Sequence, residues 1–294
     1  MNEQFSMTGK FVETPYGRLW YWLSRPGQTL DEYGSEMSAN HERGATSAPA
    51  LVFLHGLTAD HRLFRFQYPR FADDYVVLGW DAPGHGLSRP YSSMAYADAA
   101  AGLKQIIDTE GFGRVVLIGQ SMGGFQAQEF IDRYPDVVAG FFGIDTCPYG
   151  SEYYSNSDLF WLRQMGWMTR CYPEDLLKRE LAKACAKTEA ASKNMERMLR
   201  RYGKDELCRL IGSGYREFVI SHRNIQMSCP ATIVCGAQDK LGKVLAYCEA
   251  WHEKEGIPYH VVEGAAHNAN DDAPDALNAL LADFIAKTHQ KSGL

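Results

Sequence analysis

The stretch Arg114-Val-Val-Leu-Ile-Gly-Gln-Ser-Met-Gly-Gly-Phe125 decides the fold of this 294-residue chain. Its apolar run from Val115 to Ile118 is typical of a buried strand, and the apolar residues that begin at Phe125 recur at helical spacing. Ser121 lies between them with a glycine two residues away on each side, so the segment predicts a strand, a sharp turn and a helix with the serine at the apex. Glycine is expected at both flanks because side chains there would collide with the neighbouring strand and helix. The free N–H groups of the helix N-terminus would stabilise an oxyanion at this place.

The composition is that of an ordinary globular protein, with 45% hydrophobic and 22% charged residues, and it allows a full core. The 30 basic and 36 acidic residues leave a net charge of −6, and without a basic run this balance argues against nucleic acid as a main partner. No stretch approaches about 18 apolar residues, so no membrane span is predicted. The first residues lack a positive region followed by an apolar core, so we expect no secretory signal.

The seven cysteines are scattered along the chain and form no C-x-x-C pair. An odd number without regular spacing suits free thiols in a reducing compartment better than a disulfide framework. The sequence therefore predicts a cytoplasmic protein.

Segments of strand and helix character alternate along most of the chain. The predicted strands, which begin with a β-hairpin, are 10–14, 18–23, 50–54, 75–80, 115–118, 137–144, 231–235 and 259–262. Helical spacing is found between them at 61–71, 96–109, 123–134, 242–255 and 272–287. This alternation predicts an α/β fold with a doubly wound, mostly parallel, eight-stranded sheet covered on both faces. Residues 25–49 are mainly polar and are expected to form an extended surface excursion.

The alternation is interrupted between residues 146 and 227, which are mainly helical in pattern. We therefore predict a core domain formed by residues 1–145 and 228–294, with residues 146–227 as an inserted helical cap. The first part of the cap is rich in aromatic residues, including Tyr149 and Trp161. These rings either line a pocket for an apolar or aromatic substrate portion or pack the cap onto the core.

A serine needs a base and an orienting acid to act as a nucleophile. His267 is the best candidate base because it follows the last predicted strand, at the sheet edge where reactive groups gather. Two acids, Asp239 and Asp145, each follow a neighbouring strand and can reach the same edge. Asp239 is favoured because its loop lies next to the strand that leads to His267, which leaves Asp145 as an alternative acid, a pocket residue or a hydrogen-bonding loop residue.

The developing oxyanion of an acyl-transfer reaction needs preorganised donors. The backbone N–H of Met122, directly after the serine, is one candidate. The second is the backbone N–H of Leu57, in the loop after the first buried strand, which His55 and Gly56 are expected to shape.

Together these motifs resemble the α/β-hydrolase fold family. The matching residues are His55-Gly56, Asp81 to Ser88, Gly119 to Gly124, Gly236 to Asp239, and His267. The resemblance implies a Ser121–His267–Asp239 triad, an oxyanion hole of the Leu57 and Met122 amides, and a cap over the pocket. It also implies that the turn beginning at Asp81 is structural. Many members have histidine where this chain has Gln120, which affects pocket detail, and a serine nucleophile argues against the dehalogenase and epoxide-hydrolase branches.

The sequence thus predicts hydrolysis of a small carboxylic ester, thioester or lactone through an acyl-enzyme on Ser121. The substrate pocket is expected to include His55, Gln120, Tyr149 and Trp161, and no metal or cofactor is expected. Three alternatives stay open: a carbon–carbon bond hydrolase of a vinylogous diketone, an amide or peptide hydrolase, and a ligand receptor with little turnover. The sequence determines neither the substrate nor the oligomeric state.

Overall fold

A computed structural model describes residues 5–27 and 49–292 of the chain. Within these residues, eight strands form one sheet in the order β1-β2-β4-β3-β5-β6-β7-β8. The strands are β1 Thr8–Thr14, β2 Gly17–Ser24, β3 Ala50–Leu54, β4 Val77–Trp80, β5 Val115–Gln120, β6 Val138–Ile144, β7 Ala231–Gly236 and β8 Tyr259–Val262. Strand β2 runs antiparallel to β1 and β4, and the other neighbours are parallel. The predicted mostly parallel sheet is confirmed.

The helices lie between the strands and after the last of them. They are α1 Tyr68–Phe71, α2 Tyr96–Thr109, α3 Met122–Arg133, α4 Asn156–Met168, α5 Glu174–Cys185, α6 Glu189–Leu199, α7 Lys204–Ser221, α8 Val244–Glu255, α9 Ala269–Asp272 and α10 Pro274–Ser292. Helices α4 to α7 form the helical region inserted between β6 and β7. This is the predicted α/β class with an inserted helical region.

Two hydrophobic clusters lie on opposite faces of the sheet. Along β3, Val52 belongs to one cluster and its neighbours Leu51 and Phe53 belong to the other. Successive side chains of a strand point to opposite faces, so helices on both faces require an unbroken apolar run. This requirement explains why every residue of β5 is buried.

The helix predicted over residues 61–71 is wrong in part. A short 3₁₀ turn spans His61–Phe64, and α1 begins only at Tyr68. Asp60 caps the 3₁₀ turn by accepting from the Arg62 N–H, and a proline in the first turn of α1 favours a separate helix start. The predicted strand 75–80 begins two residues later, at Val77.

Three other expectations concern the chain as a whole. Most of the polar excursion over residues 25–49 lies outside the described residues. All seven cysteines are free thiols, and five of them are buried. In the described part of the chain, no helix combines the length and apolar character needed to cross a membrane.

Candidate active site

Ser121 lies in the turn between β5 and α3 with backbone angles that are unusual for a residue with a side chain. Its φ is +50° and its ψ is −118°. The surrounding backbone holds this conformation, because the Ser121 N–H donates to Ile144 O at 2.9 Å and Ser121 O accepts from Gly124 N at 2.9 Å. The Thr146 hydroxyl also donates to Ser121 O at 2.8 Å. Such strain persists only where the surroundings over-determine it, and here it projects the hydroxyl from the strand end.

Glycines around Ser121 allow a close approach of three chain segments. A Cβ at Gly119 would lie 2.7 Å from Gly123 O, and one at Gly123 would lie 2.0 Å from Leu54 O. The collisions expected from the sequence, with the helix and with the neighbouring strand, are confirmed. A Cβ at Gly56 would lie 3.2 Å from Ser121 Cβ, so the loop after β3 runs directly against the serine.

The structure brings Ser121, His267 and Asp239 into one hydrogen-bonded row. His267 Nε2 lies 2.9 Å from Ser121 Oγ, and His267 Nδ1 lies 2.8 Å from Asp239 Oδ2. An ionised carboxylate only accepts hydrogen bonds, so Nδ1 carries the proton and Nε2 is free to accept from the serine hydroxyl. The imidazole is therefore in the tautomer that a general base for Ser121 requires.

The charge of Asp239 sets the proton affinity of the histidine. Burial acts to lower the pKa of His267, but the Asp239 carboxylate, its hydrogen bond and the nearby Asp145 carboxyl together outweigh burial and raise the pKa above its ordinary value. The other Asp239 oxygen, Oδ1, accepts from the Leu241 N–H at 2.9 Å. The carboxylate is thus held between a backbone donor and the ring.

Asp145, the alternative acid, performs a different task. Its Oδ1 accepts from Gly236 N at 2.7 Å and its Oδ2 accepts from Ala269 N at 3.0 Å. Burial raises the pKa of this carboxyl well above its usual range. Within the described residues it makes no hydrogen bond to His267; instead it joins the ends of β6 and β7 to the start of α9.

Both predicted oxyanion donors lie close to Ser121: Met122 is its neighbour in the chain, and Leu57 belongs to the loop that packs against it. Met122 begins α3 directly after Ser121, and Leu57 follows the Gly56 contact. In the part of the chain that the structure describes, neither backbone N–H has a protein hydrogen-bond partner. A Cβ at Gly214 would lie 2.6 Å from Leu57 Cδ1, so α7 of the inserted region packs directly over this loop.

The side chains of Gln120 and His55 form hydrogen bonds to backbone groups next to the site. The Gln120 side chain is buried, and its Nε2 donates to His267 O at 2.8 Å. His55 is also buried; its Nδ1 lies 2.8 Å from Gly56 O, and its Nε2 accepts from Ala82 N at 3.0 Å. Both ring nitrogens of His55 are thus engaged by backbone groups, so its structural position is that of a loop support and not of an open pocket wall.

The two aromatic residues predicted for the pocket occupy different environments. The Tyr149 ring is fully buried, with its centroid 6.3 Å from those of Phe125 on α3 and Phe218 on α7. It packs the inserted region onto the helix that follows Ser121, which is the packing role considered from the sequence. Trp161 on α4 is 56% exposed and contacts Phe160 edge-on.

Asp272 is a site residue that sequence reasoning missed. Its carboxylate accepts from Ala266 N at 2.9 Å, next to His267, and from Thr188 N at 2.7 Å and Thr188 Oγ1 at 2.9 Å in the inserted region. A second link joins Asn268 N to Cys185 O at 2.7 Å. The acidic start of α9 was the available signal, but nothing in the sequence pairs it with residues about eighty positions away.

Asp60, His61 and Asp81 form the one group in the described residues that could hold a metal ion by spacing alone. The geometry argues against that use. Asp60 pairs with the Arg62 guanidinium, whose positive charge would repel a cation. Asp81 Oδ1 lies 2.8 Å from His61 Nδ1, and its Oδ2 accepts from Leu87 N at 2.6 Å. These bonds fix the turn that the sequence resemblance treats as structural.

Comparison with known proteins finds relatives of this chain. A family model described as alpha/beta hydrolase fold matches residues 49–274. Among curated proteins, a 2-(acetamidomethylene)succinate hydrolase from Mesorhizobium japonicum is 26% identical over 81% of this chain and 88% of its own length.

Solved structures show the same fold at low identity. A thermophilic esterase from Thermogutta terrifontis superimposes with a TM-score of 0.68 at 18% identity, covering 96% of this chain and 99% of the other. An N-acyl homoserine lactonase complexed with N-butanoyl homoserine has a TM-score of 0.69 at 22% identity, covering 96% and 98%.

Proposed function

The chain belongs to the α/β-hydrolase fold family, and from this premise we propose that it is a serine hydrolase that cleaves a small carboxylic ester, thioester or lactone. The observation that carries the proposal is the row of two hydrogen bonds from Ser121 Oγ through His267 to Asp239, at 2.9 Å and 2.8 Å. One esterase and one lactonase are among the structures with this fold, which supports this substrate class.

In the acylation step, Ser121 Oγ attacks the carbonyl carbon while its proton passes to His267 Nε2. The resulting imidazolium is stabilised by Asp239, and the Leu57 and Met122 amides donate to the oxyanion. His267 then transfers its proton to the leaving alkoxide, thiolate or ring oxygen as the carbon–heteroatom bond breaks. Ser121 is left as an acyl ester.

In the deacylation step, water donates a proton to His267 Nε2 and attacks the acyl carbon. The same two amides stabilise the second oxyanion, and the proton returns to Ser121 Oγ as the acid product leaves. We assign residues 1–145 and 228–294 to the core and residues 146–227 to a cap. The packing of Gly214 on Leu57 supports this assignment, because it brings the inserted region over the oxyanion loop.

Amide hydrolysis is a second candidate. The observation that favours it is the curated relative whose substrate name contains an acetamido group and which aligns along 81% of this chain. The same residues would serve, but His267 would have to protonate a nitrogen leaving group. The diketone hydrolase and the low-turnover receptor share the fold and are separated from these reactions by product analysis.

Replacement of the serine tests the proposal. Ser121→Ala should lower the turnover of p-nitrophenyl acetate and butyrate by at least about 1,000-fold. It should also abolish covalent labelling of the protein by a fluorophosphonate. Ser157→Ala is the matched control, since Ser157 is exposed on α4, and it should keep both. A panel of esters, thioesters, lactones, a diketone and 2-(acetamidomethylene)succinate then identifies the bond. Unchanged activity or labelling in Ser121→Ala would overturn the assignment.

A further inference from the structure

The charges of the chain are divided unequally between the inserted region and the remainder. Residues 146–227 contain 14 lysines and arginines against 10 aspartates and glutamates, a balance of +4. The remaining residues contain 16 basic and 26 acidic side chains, a balance of −10. A net-acidic protein therefore presents a basic inserted region, and such asymmetry favours an anionic partner at that end.

Large aromatic side chains lie on the outside of this basic region. On α4, Phe160, Trp161 and Trp167 are 54%, 56% and 56% exposed. The opposite side of α4 packs on α7, where a Cβ at Gly166 would lie 2.8 Å from Gly212 Cα. The aromatic rings thus lie on parts of the helix that its packing partner leaves uncovered, where large apolar groups require an explanation when they cluster.

Four exposed arginines accompany these rings. Arg163 and Arg170 lie on α4 and the turn after it, and Arg209 and Arg216 lie on the exposed side of α7. Within residues 5–27 and 49–292, none of the four arginines forms an ion pair. This holds even though Asp205, an exposed acidic residue, lies in the first turn of α7. Their charge is therefore available to an external partner.

Phe160, Arg163, Trp167 and Arg170 follow one another at spacings of three and four residues, so they share one exposed side of α4 and the turn after it, which we call the arginine–aromatic face. We propose that this face docks on a membrane surface that carries anionic lipids. Tryptophan and phenylalanine insert at the boundary between headgroups and acyl chains, while arginines pair with lipid phosphates. A soluble acidic protein also carries negative charge, but exposed aromatic rings alternating with guanidinium groups along one side of a helix fit the membrane interface better.

Vesicle binding tests this proposal independently of hydrolysis, because Ser121→Ala can be used as the parent protein. It should co-sediment with phosphatidylcholine vesicles that contain phosphatidylglycerol and not with pure phosphatidylcholine. Binding should weaken strongly near 1 M salt, where the Debye length is about 3 Å. Arg163→Glu with Arg170→Glu should weaken binding by at least about 25-fold, and Phe160→Ala with Trp167→Ala should weaken it at low salt as well.

A matched control removes the same chemistry from the core. Phe11 is 43% exposed and lies under the Arg18 guanidinium on the β1–β2 hairpin, 4.8 Å from the ring centroid. Phe11→Ala with Arg18→Ala should bind vesicles like the parent. Equal binding to neutral and anionic vesicles, or an equal loss in the control, would overturn the proposal. A dimer in light scattering that disappears in Phe160→Ala with Trp167→Ala, without vesicle binding, would identify a second copy as the partner instead.

Discussion

Replacing Asp239 by asparagine should disable the site by changing the tautomer of His267. The Leu241 N–H donates to Asp239 Oδ1 at 2.9 Å, and this backbone donor does not move with the substitution. In Asp239→Asn it retains the amide oxygen, so the amide NH2 faces His267 Nδ1, 2.8 Å away in the parent. The ring must then accept at Nδ1 and carry its proton on Nε2, where it cannot accept from Ser121.

The size of the effect follows from this reversal. A carboxylate-to-amide change that leaves the geometry intact but enforces the wrong tautomer lowers kcat by about 10⁴-fold. That loss corresponds to about 5.5 kcal/mol of activation free energy. Folding stability should change little, because the asparagine keeps the bond from Leu241 and still bonds to the ring, now as the donor.

Asp145→Asn is the matched comparison. Both Asp145 oxygens accept backbone N–H groups, so the variant turns an NH2 toward Gly236 or Ala269. Two donors then oppose each other in a buried place, and we expect a loss of about 1–3 kcal/mol in unfolding free energy with a smaller loss of kcat. Steady-state ester kinetics and urea unfolding measure both quantities. A greater loss of kcat in folded Asp145→Asn than in Asp239→Asn would refute the reasoning.

The pH dependence provides a second readout for Asp239. His267 must be neutral to act as a base, and its raised pKa places the acidic limb of kcat/KM above about pH 6.5, the ordinary imidazole value. In Asp239→Asn the carboxylate charge is gone and burial remains, so the limb of the residual activity should move to lower pH. A limb that stays in place would show that Asp239 does not set the proton affinity of His267.

Two further outcomes concern stability. Arg223→Ala should lower the unfolding free energy by about 1–3 kcal/mol at pH 7 in urea titrations, because the buried Glu129 carboxylate loses a 2.6 Å ion pair and keeps only the one to Arg133. Arg223 and Arg133 lower the pKa of Glu129 against the effect of burial, so this stability is present above the unfolded value of about 4.3 and is lost as pH falls; a deficit that does not shrink below pH 4 would contradict it. Asp272→Ala should lower the melting temperature and kcat together, since Thr188 N and Ala266 N both lose their acceptor. Loss of stability with unchanged kcat would separate Asp272 from the positioning of the site.

The sequence was sufficient for the parts of this protein that depend on neighbours in the chain. The apolar run at Val115 and the helical spacing after Ser121 predicted strand, turn and helix, and the structure has each of them. The fold class could be predicted from the sequence in the same way, because a sheet covered on both faces requires strands that are apolar along their whole length. The break between the 3₁₀ turn and α1 was not recognised, because apolar spacing alone does not register the helix start favoured by the proline in the first turn of α1.

The candidate site depended on both levels. Ser121, His267, Asp239 and the Leu57 loop were found because parallel strands end at one edge, so residues that follow strands are placed together by topology. The roles of these residues stay predictions until the variants are measured. The sequence left Asp239 and Asp145 as rival acids, and the structure distinguishes them by their hydrogen-bond partners.

Only the tertiary structure decided the contacts that hold the site and the face that the inserted region presents. Gln120 and His267 are 147 residues apart, and no local pattern records that the amide donates to that carbonyl. Trp161 follows the same helical spacing whether it points inward or outward, and the packing of α4 on α7 leaves it exposed. Periodicity reports which residues share a side of an element, whereas the partner of that side is set by how the whole chain packs.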